Sequence, residues 1–107
     1  MDDATRAQAQ KVVRPLVDVA FSDTGAAEAA AQALLSCYDG SRFHLCVRDL
    51  CLLDDSHYRA ALLVIRLRIE KGIEPHELFD DEELFPKLCK RWGTQLHVIS
   101  RGEQYGC

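Results

Sequence analysis

The stretch Ser22-Asp23-Thr24-Gly25 lies between two apolar segments, LVDVAF at 16–21 and AAEAAAQALLSCY at 26–38. The aspartate or the threonine can accept a hydrogen bond from the free amides that begin a helix, and the glycine tolerates the backbone of a tight corner. Both flanking segments supply apolar surface for burial. The stretch therefore predicts two helices joined by a tight corner, which decides the fold class.

Capping residues and apolar residues at helical spacing predict four helices in all. The first begins at about Ala4 behind a cap at Asp2 or Asp3, and Pro15 either kinks it or starts a fresh turn. We expect the first two helices to cover each other and the third to be the central helix. The last three helices span about 26–38, 56–71 and 80–92.

Two short segments, 43–47 and 95–100, alternate apolar and polar residues in the manner of half-buried strands. Each is too short to be stable alone, so each needs a partner. Residues 65–70 alternate as well, but the Ala60-Ala61-Leu62-Leu63 before them favours helix. The predicted fold class is mainly α, a compact bundle of about four helices, with a small two-stranded β element if the two short strands pair.

The chain has 107 residues, of which 48% are apolar, so it is long enough for one domain with its own core. We expect 1–107 to form a single helical domain with residues 1–3 and 101–107 frayed. No apolar run suits a membrane span, and the acidic start favours a cytoplasmic protein without a secretory signal. Five cysteines, an odd number, predict reduced thiols.

A run of six acidic residues without a base precedes the last predicted helix: Glu74, Glu77, Asp80, Asp81, Glu82 and Glu83. The formal net charge of −4 argues against nonspecific nucleic-acid binding, because that affinity comes from neutralising phosphates. A basic protein is therefore the expected partner, and the six acids are the candidate partner-binding residues. Alternatively, the acids only favour the start of a helix whose end carries Lys87, Lys90 and Arg91.

His44, Cys46, Cys51 and His57 lie within fourteen residues of one another. Structural zinc sites usually take pairs of cysteines that two residues separate, whereas four residues separate Cys46 from Cys51. A thiol enzyme with Cys51 as nucleophile and His57 as base would need an exposed thiol of lowered pKa. We expect no cofactor, no bound metal and no catalytic residue. An enzyme centred on these four residues is the alternative function.

The largest apolar residues of the last helix recur on one face, as do those of the third helix. We expect these faces to pack together: Phe85, Leu88 and Trp92 against Leu62, Ile65 and Ile69. Alanine-rich helices in small domains often complete their burial by pairing. The sequence therefore predicts a monomer or a homodimer, the latter through exposed apolar residues of the second helix.

Four segments resemble, in order and spacing, a family of small uncharacterised proteobacterial proteins associated with integrative and mobile elements. The segments are 16–25 with its Asp-Thr-Gly corner, 33–39, 49–54 and 85–92. The chain departs from the family pattern at Cys37-Tyr38-Asp39 and at Cys51, where the family tends to carry tryptophan or asparagine. The family has no assigned activity, so no residue role carries over.

The resemblance implies a genomic context, in which small acidic proteins commonly bind a host or phage protein. We therefore expect a noncatalytic protein-binding module of bacterial accessory or phage DNA. In its narrowest form, this hypothesis describes an anti-defence inhibitor of the anti-CRISPR type that binds a host protein complex. The alternative is a small metal-dependent or cysteine-thiol enzyme centred on His44, Cys46, Cys51 and His57.

Overall fold

The computed structural model describes residues 1–93, 95 and 96. Within them the chain forms four α-helices and two 3-10 helices, and no strand. The prediction of a mainly α fold built as a small helical bundle is confirmed. None of the helices in this part of the chain is long and apolar enough to cross a membrane. The helices are α1 (Asp3–Ala20), α2 (Ala27–Tyr38), η1 (Val47–Leu52), α3 (Asp55–Glu70), η2 (Pro75–Leu78) and α4 (Leu84–Trp92).

Two aspartates cap helices as the sequence predicts. Asp2 Oδ1 accepts a hydrogen bond from the Thr5 amide at 2.7 Å, and Asp54 Oδ1 accepts one from the His57 amide at 2.9 Å. These backbone hydrogen bonds lower the pKa of both aspartates, because they favour the charged carboxylate. At the other end of α3, Gly72 has a φ of +67°, a left-handed conformation that glycine adopts without strain.

The corner between α1 and α2 differs in detail from its prediction. Neither Asp23 nor Thr24 caps α2, which begins at Ala27 behind Ala26, a residue whose backbone is already helical. The corner is a turn in which the Ala27 amide donates to the Thr24 carbonyl oxygen at 3.1 Å. Gly25 does not adopt a positive φ. The polar residues of the corner therefore make contacts other than a cap of α2.

The first helix runs through Pro15 without interruption. A proline inside a helix leaves the carbonyl group four residues earlier without its usual donor, here that of Lys11. Both residues are exposed, so water can satisfy this carbonyl group. Pro15 therefore neither ends α1 nor starts a new helix.

The second helix, not the third, is the centre of the bundle. It packs against every other helix, including η1 and η2. Its alanines and leucines are at most 1% exposed: Ala27, Ala29, Ala30, Ala31, Ala33, Leu34 and Leu35. Alanine side chains are short, so neighbouring helices can approach α2 closely from all sides. An exposed apolar face of α2, which the predicted dimer contact requires, is therefore not present.

The predicted packing of the last helix on α3 is wrong, because α4 packs mainly against α2. Its Trp92 is buried, and the indole Nε1 donates to the Ala20 carbonyl oxygen at the end of α1, at 2.7 Å. The Phe85 ring contacts the Tyr38 ring at a centroid distance of 4.9 Å. On α3, Ile65 is half-buried and Ile69 is exposed. The third helix instead packs on α1 and α2.

The predicted first strand, 43–47, is also wrong. Phe43 forms an isolated β-bridge, the next three residues have no regular structure, and Val47 begins η1. The Cys46 amide, which a strand would use in a ladder, donates instead to a side chain of α2, Gln32 Oε1, at 2.8 Å. Of the second predicted strand, Gln95 and Leu96 lie in a turn and a bend, while residues 97–100 lie outside the described residues.

Replacing Trp92 tests whether α4 closes the core. We expect Trp92→Ala to lower the free energy of unfolding by about 3–5 kcal/mol, because it removes a buried aromatic side chain. Trp92→Phe keeps most of the packing but leaves the Ala20 carbonyl without its donor, so about 1–3 kcal/mol should be lost. Urea denaturation followed by circular dichroism measures both.

The control is Ile69→Ala, at a residue that is 77% exposed on α3. It should change the free energy of unfolding by no more than about 0.5 kcal/mol. If Trp92→Ala is as mild as this control, the indole does not contribute to the core.

Candidate functional site

The acidic segment, residues 74–83, is fixed to the bundle by its apolar residues and by α1. Pro75, Leu78 and Phe79 are buried. Arg6 Nε donates to the Glu77 carbonyl oxygen at 3.1 Å, and the Gln10 side-chain amide donates to the Leu78 carbonyl oxygen. The segment is thus held in one conformation with its apolar side chains turned inward.

The six carboxylates of the acidic segment lie on the outside, and only Glu74 is partly covered. Asp80 pairs with Arg6 at 2.8 Å, and Glu83 pairs with Lys87 at 3.4 Å. Within the described residues the other four carboxylates form no ion pair: Glu74, Glu77, Asp81 and Glu82. Four of the six carboxylates are therefore unpaired within the described part of the chain.

The helix-dipole interpretation accounts for only part of the acidic segment. Helix α4 begins at Leu84, so Glu83 and the two acids before it lie next to its N-terminus. Asp81 Oδ1 also accepts a hydrogen bond from the Glu83 amide at 2.9 Å. Earlier in the segment, Glu77 Oε2 accepts from the Glu74 amide at 2.7 Å, which stabilises η2. The second carboxylate oxygen of Asp81 and that of Glu77 remain available to a partner.

A groove of about 720 Å³ separates the acidic segment from α1. Asp80 and Asp81 line one side, whereas Lys11 and Arg14 line the other. The Arg14 guanidinium lies over the Phe79 ring, 4.6 Å from its centroid. This contact is a cation–π interaction with an aromatic ring, and the groove carries side chains of both charge signs.

Within the part of the chain that the structure describes, the histidine and cysteine residues do not form a metal site. No group of three or more histidine, cysteine, aspartate or glutamate side chains there is placed to hold a metal ion. Cys46 is buried and Cys51 is exposed. His57 Nδ1 lies 3.1 Å from Asp54 Oδ1, the cap of α3.

Two further thiols are poor nucleophiles. Burial raises the pKa of Cys37 and that of Cys89, because desolvation disfavours the thiolate. These two side chains therefore remain protonated thiols at neutral pH.

Gln32 is a structural residue that the sequence interpretation missed. It is fully buried on α2, where its Nε2 donates to Asp49 Oδ2 and its Oε1 accepts from the Cys46 amide, both at 2.8 Å. The pair of bonds fixes the start of η1 to the central helix. The signal in the sequence was a single glutamine among alanines and leucines, since a polar residue on a buried helix needs partners.

Arg91 and Trp92 connect α4 to the corner between α1 and α2. Arg91 Nη2 donates to the Ser22 carbonyl oxygen at 2.6 Å and to Asp23 Oδ1 at 3.2 Å. The indole of Trp92 binds the Ala20 carbonyl oxygen beside them. Two segments that carry the family resemblance, the corner and the closing helix, therefore contact each other directly.

A second groove of about 720 Å³ lies between the end of α2, η2 and α4. Tyr38 forms one wall, with the His76 ring edge-on at a centroid distance of 5.3 Å. Arg42 and Lys90 line it as well, and Arg42 lies 3.6 Å from Asp39. Both cations are close to C-terminal ends of helices, where positive charge balances the helix dipole.

The fold and its surface define a small helical bundle with one strongly acidic exposed segment. By sequence the chain belongs to a family of unknown function, DUF7673, whose model matches residues 10–93. The match includes all four segments that carry the resemblance and the whole acidic segment. Comparisons with curated proteins and with solved structures found no significant similarity.

Substitution of Gln32 tests its role as a buried bridge. Gln32→Leu keeps the approximate shape but removes both hydrogen bonds, leaving the buried Cys46 amide without an acceptor. We expect a loss of about 1–3 kcal/mol in the free energy of unfolding, measured by urea denaturation. The exposed Gln8→Leu substitution in α1 is the control. A Gln32 variant as stable as this control would contradict the bridging role.

The metal content of the protein tests the enzyme alternative. Structural zinc binds tightly enough to survive purification, so a genuine site would retain close to one equivalent. We expect less than about a tenth of an equivalent of zinc or iron in protein purified without a histidine tag, measured by elemental analysis. One equivalent of metal, lost in a Cys46→Ser and Cys51→Ser double variant, would contradict this expectation.

Proposed function

We propose that the protein is a noncatalytic protein-binding module whose acidic segment contacts a basic partner. The observation that carries this proposal is the set of carboxylates at 74–83, held outward on a fixed backbone, four of which lack an ion pair within the described residues. Because the backbone of the segment is fixed, its carboxylates cannot move far apart to lower their mutual repulsion. The surface therefore keeps a negative potential that a basic protein surface would relieve.

The binding mechanism is electrostatic complementarity. A surface of one charge sign attracts and orients a partner of the opposite sign, which raises the association rate and selects among partners. The same charge repels nucleic acid, whose phosphates a binding protein must neutralise. A protein surface that itself binds nucleic acid through basic residues fits the acidic segment best, because it offers the density of cations that phosphates require.

The narrower hypothesis is that this partner is a host or phage protein complex and that the chain acts as an anti-defence inhibitor of the anti-CRISPR type. It rests on the resemblance to proteobacterial proteins of integrative and mobile elements and on the fit between an acidic surface and a nucleic-acid-binding groove. In this hypothesis the protein acts in the cytoplasm. It competes with nucleic acid for the groove and needs no cofactor.

The test removes charge from the acidic segment while keeping its hydrogen-bond acceptors. The triple variant Glu77→Gln, Asp81→Asn and Glu82→Gln neutralises three carboxylates and spares both ion pairs of the segment. Its control is Asp3→Asn, Asp18→Asn and Glu28→Gln, which neutralises three exposed acids on α1 and α2. Each is used to capture proteins from the cells that encode the chain, with quantitative mass spectrometry as the readout.

We expect wild type and control to capture the same partners and the acidic-segment variant to capture at least about tenfold less of them at physiological salt, since each lost close charge pair is worth about 1.5 kcal/mol or more. Raising the salt concentration should weaken capture by wild type. If the acidic-segment variant captures as much as the control, the acidic segment is not the binding surface.

A further inference from the structure

One face of α1 carries three side chains that contact the acidic segment: Arg6, Gln10 and Arg14. Successive members are four residues apart, so they lie above one another on the helix. Arg6 makes two contacts, because its Nε donates to the Glu77 carbonyl oxygen at 3.1 Å and its Nη2 donates to Asp80 Oδ1 at 2.8 Å. We call these three side chains the α1 clamp.

The α1 clamp contacts four consecutive residues, 77–80. The Gln10 side-chain amide donates to the Leu78 carbonyl oxygen, and the Arg14 guanidinium lies over the Phe79 ring. Two of the hydrogen bonds of the clamp are therefore made to backbone carbonyl groups, at the point where η2 ends. The last carbonyl groups of a helix lack donors inside the helix, so the clamp supplies them. It thereby fixes the path of the main chain as well as one carboxylate.

The stretch that the α1 clamp holds determines where two unpaired carboxylates lie. Glu77 is the first residue of this stretch, and Asp81 directly follows its last. Both are exposed, and neither forms an ion pair within the described residues. Asp80 differs from them, because its carboxylate is already paired with Arg6. The distance between the Glu77 and Asp81 carboxylates therefore depends on how Arg6 holds the residues between them.

We propose that Arg6 is a positioning residue of the acidic segment, which sets the spacing of the Glu77 and Asp81 carboxylates for a basic partner. Asp80 serves as the anchor of Arg6 and not as a contact of the partner. The contacts of the α1 clamp do not depend on the proposed function, whereas the positioning role rests on it. Removing Arg6 makes the surface more negative, yet it weakens binding, because carboxylates that are no longer held must be ordered when the partner binds.

Amide hydrogen exchange, followed by NMR, tests whether Arg6 holds the acidic segment. The Glu77 and Phe79 amides donate to the Glu74 and His76 carbonyl oxygens within the segment, so their exchange reports its local opening. We expect Arg6→Ala to speed this exchange at least about tenfold and to change that of the α2 amides by less than about threefold, because the segment opens while the core stays closed.

The matched control is Lys11→Ala. Lys11 is exposed on the same helix, lines the groove beside the acidic segment and forms no ion pair within the described residues. Its substitution removes the same charge without removing a contact of the α1 clamp, so exchange in the segment should stay within about twofold of wild type. Arg6→Lys keeps the charge but not the planar fork that reaches two acceptors, and it should give an intermediate rate.

Capture of proteins from the cells that encode the chain, quantified by mass spectrometry, tests the positioning role. We expect Arg6→Ala to capture at least about threefold less of the proteins that wild type captures, whereas Lys11→Ala captures as much as wild type or more. Charge alone predicts a gain for both variants, so the direction of the change distinguishes the two explanations. In the Arg6→Ala background, Asp80→Asn should change capture by less than about twofold, because Asp80 acts only through Arg6.

Unchanged exchange in Arg6→Ala overturns the clamp. Faster exchange with undiminished capture overturns the positioning role, and so does a further loss of capture from Asp80→Asn in that background, which would make Asp80 a direct contact. Failure of the proposed function is recognised separately. The triple variant Glu77→Gln, Asp81→Asn and Glu82→Gln would then capture as much as its own control, and the positioning role would fall with it, while the exchange measurement would still decide the clamp.

Discussion

Close packing around α2 is the constraint on which the rest of the bundle depends. This helix contacts every other helix, and most of its buried residues are alanines. Short side chains bring the neighbouring backbones near, so dispersion contacts are made by many atoms at small separation. They also leave no spare volume, because a longer side chain at a buried alanine would push a neighbouring helix away. The positions of α1, α3 and α4 are consequently set by the shape of α2.

A small number of buried hydrogen bonds then fixes how the connecting segments run. Gln32 holds the start of η1, and Trp92 holds the end of α1, while Arg91 binds the corner that follows α1. Each of these bonds joins segments far apart in the chain. Two of the segments that carry the family resemblance, 16–25 and 85–92, take part in them. Gln32 also binds Asp49 of the segment 49–54, and the Tyr38–Phe85 ring contact adds the fourth segment. The resemblance is therefore explained by the fold, and it does not by itself mark a binding site.

Local signals in the sequence were sufficient to predict the helices, but they were insufficient to predict how the helices pack. Caps at Asp2 and Asp54 and the glycine after α3 depend on neighbouring residues, so the sequence predicted them. The partner of α4 depends on which faces remain free after the first three helices pack, and periodicity carries no such information. The strand at 43–47 failed for a related reason, because a distant side chain, Gln32, takes the hydrogen bond that a strand ladder would use. Of the candidate site, exposure of the acidic residues followed from their charge, and the pair of Glu83 with Lys87 is local in sequence. The pair of Asp80 with Arg6 required the fold, because the two residues lie 74 positions apart.

Helix α4 closes the core by placing the Trp92 indole against the end of α1. The chain has a single tryptophan, so one indole N–H resonance reports this contact without ambiguity. Hydrogen exchange of that proton, followed by NMR, measures the opening of the contact directly. We predict that this proton exchanges only through global unfolding, at the rate of the slowest backbone amides of α2. Exchange of the indole proton as fast as in a free indole, with the α2 amides still protected, would contradict it.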